Sequence, residues 1–335
     1  MKKALLALSV MALGAAAFAT TDLNPYEMPP HTPPWSRKPV LSPDVHSANN
    51  PAVYKGFDFT IPPVDNVVDF HGDLNAANKD GLVVYVGGNY YFAVTRLIKA
   101  FEKEYPQYKG KVFIITIPPG KLLQAIEHYH DTFTIGDMTF TAKPDIYAGG
   151  AFGVKKCIKD GFCEASTFTP YVTNTLAIEV YKGNPKHIHS LQDLARKDVK
   201  VVMPNPAFEG IARRIEDALE KCGGKKLKDA IFGPHGKAIL TEIHHRQTPL
   251  VIMEHIADAG VVWHSEVEAQ MKQYHNPLQA VPIPAKCNYE AIYAAAEVKG
   301  APHPQAAKDW LHFLKTPAAL KVFEFYGFKP YEGKR

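Results

Sequence analysis

The sequence predicts an α/β fold in which strands of mostly parallel sheets alternate with crossover helices. From Leu82 onward, short apolar runs end in Gly, Pro or Asn, and each is followed by a stretch with helical spacing of its apolar residues. The chain has 335 residues, 46% of them hydrophobic, so it can bury ample core and is long enough for two or three domains. We expect two lobes.

Eight segments have the composition of strands and five have the apolar spacing of helices. The predicted strands are 82–86, 112–117, 145–148, 176–181, 199–203, 260–263, 280–283 and 292–296. The predicted helices are 92–105, 121–130, 208–222, 304–314 and 318–326. Ser190 and Asp193 resemble a capping box that opens a short helix, and Gly223 with Gly224 is expected to end the longest helix.

The N-terminus has the pattern of a secretory signal peptide. Lys2 and Lys3 precede an apolar run over 4–17, and the small-residue pattern at 17–19 predicts cleavage after Ala19. No Cys stands at that point to carry a lipid, so the expected location is the periplasm, in soluble form. Residues 20–80 are rich in Pro, Asn and His, and we expect them to form an extended arm whose second half packs on the surface.

Charge and cysteine content narrow the class of protein. The formal charge is +4, and removal of the leader with its two lysines lowers it to about +2, so nothing indicates binding to nucleic acid. Four cysteines in an exported chain indicate disulfides. Cys157 and Cys163 are the preferred pair because they share one short segment, whereas Cys222 and Cys287 either pair or stay free.

Four strand-to-helix junctions are the candidate binding elements. In open α/β sheets, ligands bind beyond the carboxyl ends of strands, where helix starts present unpaired N–H groups. Gly and Pro at any single junction are more often plain turn residues, but two junctions fall in each half of the chain and can face one cleft. The candidate ligand contacts at these junctions are Gly88, Asn89 and Tyr90; Pro119 and Gly120; Asn205, Phe208 and Glu209; and Trp263 with His264.

Glu209 and a group of histidines have competing interpretations. Glu209 by its position complements the dipole of the helix that it precedes. His244, His245, His255 and His264 suggest a metal site, but no fixed ligand spacing is present, so we expect no metal.

Arg246 and the aromatic residues near the junctions each have two possible roles. Arg246 is expected to anchor a carboxylate or oxyanion, or to tie a helix to the neighbouring strand. Trp263 and either Tyr90 or Tyr91 are candidates for cleft walls or for core.

From about Leu82 to Phe328 the chain resembles the type II periplasmic solute-binding proteins, in particular their molybdate- and tungstate-binding group. The resembling stretches are 82–104, 143–148, 172–180, Asp258-Ala259-Gly260-Val261-Val262-Trp263 and 318–328. The resemblance implies two lobes, each a mixed, mostly parallel sheet with helices on both faces. The chain would cross between them at hinge segments 174–181 and 287–296. Lobe one would hold 81–173 and 288–335, and lobe two 174–287, with Asn174 at the cleft.

The resemblance also implies a function. Such a protein is the periplasmic substrate-binding component of an ABC importer, a monomer that captures a small oxyanion and delivers it to a permease in the inner membrane. A ligand sensor of the same fold, or a binder of a small carboxylate or metal complex, is the alternative. Hydroxyl side chains usual at the first two junctions are replaced by Gly88-Asn89 and Pro119-Gly120. For Glu209 the resemblance to tungstate-binding proteins implies an alternative role, direct coordination of a metal centre. The sequence lacks the common catalytic and dinucleotide motifs, so we expect no catalysis and no cofactor.

Overall fold

The computed structural model describes residues 58–61, 66–135, 138–207, 209–241 and 245–333. The predicted leader and the first part of the predicted arm lie outside the described residues, as do Phe208 and His244. Among the residues described, no helix combines the length and the apolar composition needed to cross a membrane.

Every strand and helix predicted above has a counterpart in the structure. The strands are β1 Asp58–Ile61, β2 Asn66–Gly72, β3 Leu82–Gly87, β4 Val112–Ile117, β5 Thr132–Ile135, β6 Met138–Thr141, β7 Ile146–Gly150, β8 Thr169–Tyr181, β9 Val201–Met203, β10 Ile239–Leu240, β11 Ala259–Trp263, β12 Leu278–Pro282, β13 Glu290–Glu297 and β14 Lys329–Pro330. The α-helices are α1 Leu74–Asp80, α2 Tyr91–Glu104, α3 Pro119–His128, α4 Ala151–Lys159, α5 Gly210–Phe232, α6 Thr248–Met253, α7 His264–Lys272, α8 Pro304–Phe313 and α9 Pro317–Phe325. Short 3₁₀ turns include 88–90, 191–195 and 245–247.

Strand β8 joins the two halves of one mixed sheet. The strand order is β1-β2-β4-β3-β7-β13-β8-β11-β9-β10, and β12 and β14 also pair with β8. Residues 169–175 of β8 pair with β13, whereas residues 176–181 pair with β11 and β12. We call the sheet from β1 to residue 175 of β8, with β13 and β14, the first half, and residues 176–181 with β9 to β12 the second half.

Parallel pairing is found where a helix connects two neighbouring strands. In the first half β3 pairs in parallel with β4 and β7, and in the second half β9 pairs in parallel with β10 and β11. The long strand β8 is antiparallel to its partners β11, β12, β13 and β14. The carboxyl ends of β3, β9 and β11 therefore lead into α2, α5 and α7, which places these helix starts near the crossing strand.

Each half buries its own core. In the first half, α2, α8 and α9 pack on one face around Phe101, Trp310 and Phe323. Helices α3 and α4 cover the other face of that half around Tyr85 and Tyr147. In the second half, α5 covers the alternate apolar residues of β8 on one face, and α6 and α7 pack on the other. Helices thus lie on both faces of the sheet, as the sequence predicts.

The second part of the predicted arm is regular structure. β1 and β2 form an antiparallel pair at the edge of the sheet, and β2 pairs with β4, with Asp69 opposite Thr116. The carboxylate of Asp73 accepts hydrogen bonds from Asn75 N at 2.9 Å and Ala76 N at 3.2 Å, which caps α1. At residues 58–61 and 66–80 the extended-arm interpretation is therefore replaced by two edge strands and a helix.

Two disulfides are formed among the described residues. Cys157 pairs with Cys163, which confirms the preferred local pairing, and Cys222 pairs with Cys287, which decides the alternative that the sequence left open. Cys222 lies just before a break in α5 at Gly224, whose φ is 68°. A glycine adopts this conformation without steric cost, so the predicted helix end is a break after which the chain resumes a helix.

Candidate functional site

A pocket between the two halves brings predicted junctions together. Tyr91 and Phe92, at the start of α2, line it from the first half. The rest of the lining comes from the second half and consists of Glu179, His245, Arg246, Pro249, Val262, Glu266 and Gln270. The first and fourth junctions thus meet at one pocket, and Glu209 of the third junction contacts the pocket-lining His245.

A cation–aromatic contact spans the pocket. The guanidinium carbon of Arg246 lies 3.6 Å from the centroid of the Tyr91 ring. Arg246 belongs to the 3₁₀ turn at 245–247, and Tyr91 is the first residue of α2. A guanidinium over the face of an aromatic ring is attracted by its quadrupole, so this contact positions the cation at the boundary between the halves.

The imidazole of His245 is held between two carboxylates. Its Nδ1 lies 2.8 Å from Glu209 Oε2, and its Nε2 lies 2.8 Å from Glu266 Oε1. All three residues are buried. Burial by itself lowers the pKa of His245, but the negative charges of Glu266 and Glu209 and the hydrogen bonds to them raise it to about 10. At neutral pH, His245 is therefore an imidazolium that donates both N–H groups.

This arrangement joins three separate segments. Glu266 lies in the first turn of α7, and its second oxygen accepts a hydrogen bond from Trp263 N at 3.3 Å. Glu209 immediately precedes α5 and makes no side-chain capping bond to that helix. Its Oε1 is buried without a hydrogen-bond partner among the described residues. The contact of Glu209 with His245 is thus a third arrangement, distinct from both interpretations drawn from the sequence.

Glu179 is a buried carboxyl group without a hydrogen-bond partner among the residues that the structure describes. It lies on β8, opposite Gly260 of β11 and Ala280 of β12, and is only 1% exposed. Neither of its oxygens makes a hydrogen bond to a described residue. Burial raises the pKa of Glu179 to about 8, and the charge of Glu266 adds to this effect. The group is therefore protonated and neutral near pH 7.

The first junction directs its polar side chains into the first half. Asn89 follows Gly88 in the 3₁₀ turn. Its Nδ2 donates a hydrogen bond to the Tyr293 hydroxyl at 2.7 Å. The hydroxyl of Tyr90 pairs with that of Tyr171 at 2.6 Å, and the Tyr90 ring belongs to the core. These residues support the start of α2, and it is Tyr91 that lines the pocket.

The second junction does not line the pocket. Pro119 and Gly120 are exposed, and the Pro119 carbonyl accepts a hydrogen bond from the Tyr147 hydroxyl at 3.1 Å. A side chain added at Gly87 would lie 3.4 Å from Pro119, so this junction lies beside the first.

The remaining predicted residues lie around the pocket in supporting positions. Asn174 is buried and donates a hydrogen bond to the Ser265 hydroxyl at 2.8 Å, which ties the crossing strand to α7. Asn205 Oδ1 accepts from Ala207 N at 3.0 Å in the turn before α5. Trp263 is buried in the core of the second half, and His264 pairs with Glu268 at 3.3 Å.

Sequence reasoning missed Glu179 and did not single out His245 from the other histidines. A signal for Glu179 was present, since it is the one charged residue within the predicted strand 176–181. The sequence offers no signal that separates His245 from its neighbour His244. Within the described part of the chain, no three His, Cys, Asp or Glu side chains are arranged to hold a metal ion.

Comparison with known proteins decides the family. The sequence profile of the bacterial extracellular solute-binding proteins matches residues 82–329, which is most of the chain. The chain belongs to this family. By sequence it is similar to the thiosulfate-binding protein of Escherichia coli K12, 31% identical over 176 residues. That match covers 47% of this chain and 49% of the E. coli protein, so the chain spans about half the length of this relative.

Two further relatives extend the comparison. The molybdate-binding protein ModA of Mycobacterium tuberculosis H37Rv is 25% identical over 193 residues, covering 57% of this chain and 67% of ModA. The periplasmic molybdate-binding protein of Azotobacter vinelandii superposes with a TM-score of 0.58 over 74% of this chain and 98% of that protein, at 16% identity. The solute-binding chain described here therefore has the two-lobed fold of the periplasmic binding proteins.

Proposed function

We propose that this protein is the substrate-binding component of an ABC importer and that it captures a small oxyanion in the pocket between the two halves. The observation that carries the proposal is the position of Arg246, whose guanidinium lies 3.6 Å from the Tyr91 ring and lines the pocket. A planar guanidinium can donate two parallel hydrogen bonds to an oxyanion. The relatives that bind thiosulfate and molybdate support this class of ligand.

Two helix starts add to the affinity for an anion. Helix α2 begins at Tyr91 and α7 at His264, next to the pocket-lining Glu266. The first turn of a helix leaves N–H groups unpaired and carries a partial positive charge. The positive charges of His245 and Arg246 offset the negative charges of Glu209 and Glu266, and the carboxyl of Glu179 is neutral near pH 7. The site is therefore close to neutral in charge and does not oppose an anion.

The strands that connect the two halves define the two lobes of the proposed binding protein. Lobe one comprises 81–173 and 288–335, and lobe two comprises 174–287, because β8 and β13 carry the chain between the two halves. Closure of the lobes would bring Arg246 and the start of α2 onto the solute. The mature protein would act in the periplasm and deliver the solute to a membrane permease.

Replacing Arg246 tests the site. Isothermal titration of the ligand-stripped protein with sulfate, thiosulfate, molybdate and phosphate should identify a bound oxyanion. Arg246→Gln should weaken its binding roughly 10- to 100-fold, because charge-assisted hydrogen bonds are lost.

Arg96→Gln is the matched control for that experiment. Arg96 is exposed on α2, and its guanidinium carbon lies 4.2 Å from the Phe325 ring, so it makes the same kind of aromatic contact away from the pocket. Its replacement should leave affinity unchanged. Failure of all four anions to bind, or equal losses in both variants, would contradict the proposal.

Ligand-driven closure is measurable by small-angle scattering. Saturation with the bound oxyanion should reduce the radius of gyration, because hinge motion about β8 and β13 brings the lobes together. An unchanged radius at saturation would show that binding occurs without closure, contrary to this expectation.

A further inference from the structure

We propose that Glu179 binds the oxyanion in its acid form, donating a hydrogen bond from the floor of the pocket, so that capture of the anion is linked to a proton held on the protein. This inference rests on the proposed function of the pocket. It adds a specific proton-bearing contact in the pocket that Arg246 also lines.

The geometry of Glu179 points to a ligand. Its side chain is buried, lines the pocket and makes no hydrogen bond to a described residue through either oxygen. A buried polar group without a partner costs free energy, because water no longer satisfies it. A bound oxyanion in the pocket would supply the missing acceptor.

The charged neighbours decide which form of Glu179 can act. Glu266 on α7 faces it with a negative charge, and His245 and Arg246 face the pocket from the 245–247 turn. Tyr91 and Phe92 line the pocket from α2, and Glu209 pairs with His245 behind the pocket lining. An ionised Glu179 would place a second carboxylate beside Glu266 and would repel an anion. A protonated Glu179 removes that repulsion and becomes a donor.

The affinity for the anion should fall as the pH rises. Burial raises the pKa of Glu179 to about 8, so the donor form predominates near pH 7 and is lost as the pH rises through that value. A site that binds only through the acid form has its apparent affinity reduced by the fraction of protein still in that form. Between about pH 7 and pH 9 that fraction falls roughly ten-fold.

The test compares the wild-type protein with Glu179→Gln at about pH 7 and pH 9. The probes are sulfate, thiosulfate and molybdate, which do not change charge in this range. Wild-type affinity should fall roughly ten-fold, whereas Glu179→Gln, whose amide donates a hydrogen bond at every pH, should bind at both values with less than about a two-fold change. Glu268→Gln is the control, since this carboxylate pairs with His264 and Lys272 and does not line the pocket, and it should follow the wild type.

Proton uptake provides a measurement that needs no variant. Titration of the wild type in two buffers of different ionisation enthalpy should show close to one proton taken up per anion at about pH 9 and almost none at about pH 7. Binding at pH 9 without proton uptake, or the same loss of affinity in Glu179→Gln as in the wild type, would overturn the inference while leaving the Arg246 site intact. If neither these probes nor phosphate binds at pH 7, the proposed function and this inference both fall.

Discussion

His245→Leu should destabilise the folded protein by about 3–5 kcal/mol, because removing one partner of a buried ion pair leaves an uncompensated charge. Here it would leave two buried carboxylates, Glu209 and Glu266, without the imidazolium that lies 2.8 Å from each. Urea unfolding followed by circular dichroism near pH 7 measures the loss. The matched control is His128→Leu, whose side chain is 64% exposed and lies 3.6 Å from Glu127; it should change stability by no more than about 0.5 kcal/mol.

The stability of the folded protein should also depend on pH, because His245 is held between Glu209 and Glu266. The pKa of His245 is raised from 6.5 to about 10 in the folded protein, so its stabilising contribution is complete below about pH 6.5 and is lost as the pH rises through 10. Unfolding measured between about pH 8 and pH 10 should therefore show falling stability in the wild type and a flatter profile in His245→Leu. Parallel profiles would show that His245 is not the group that titrates.

Removing the Cys222–Cys287 disulfide should be the other large perturbation. Its cysteines are 65 residues apart, and the loop-entropy relation assigns such a crosslink about 4 kcal/mol. The double variant Cys222→Ser with Cys287→Ser removes the bond without leaving a free thiol. Its free energy of unfolding in urea should be lower than that of the wild type by about this amount.

The Cys157–Cys163 pair is the internal comparison. Its cysteines are only 6 residues apart, so the corresponding double serine variant should lose about 2 kcal/mol by the same relation. Equal losses in the two double variants, or a larger loss in the short loop, would show that strain or residual structure outweighs loop entropy in this protein.

The elements of the fold could be predicted from local sequence because their signals are local. Strands β3, β4 and β11 are short apolar runs that end in turn residues, and α2 and α8 have apolar residues at helical spacing. Hydrophobic periodicity and turn chemistry reflect the backbone geometry of the residues that carry them, so a single sequence suffices. Strands β1 and β2 carry no such signal, because as edge strands they are stabilised mainly by pairing with each other and with β4.

The sequence also indicated backbone segments that meet at the candidate pocket, but not the side chains that line it. Its strand-to-helix junctions placed Tyr91, Glu209 and Glu266 near one cleft, since helix starts follow the carboxyl ends of strands. It did not reveal that Asn89 donates a hydrogen bond to Tyr293, 204 residues away along the chain. Nor did it reveal that Asn174 donates one to Ser265, 91 residues away.

The sequence by itself determined the α/β class, the order of the main elements and the junctions from which the pocket is built. Only the tertiary structure decided that His245 lies between two carboxylates and that Glu179 lines the pocket without a described partner. The physical reason is that burial and electrostatics depend on distances in space. Glu179, Glu209, His245 and Glu266 belong to four separate segments, and their charges interact only once the folded sheet and its helices have brought them together.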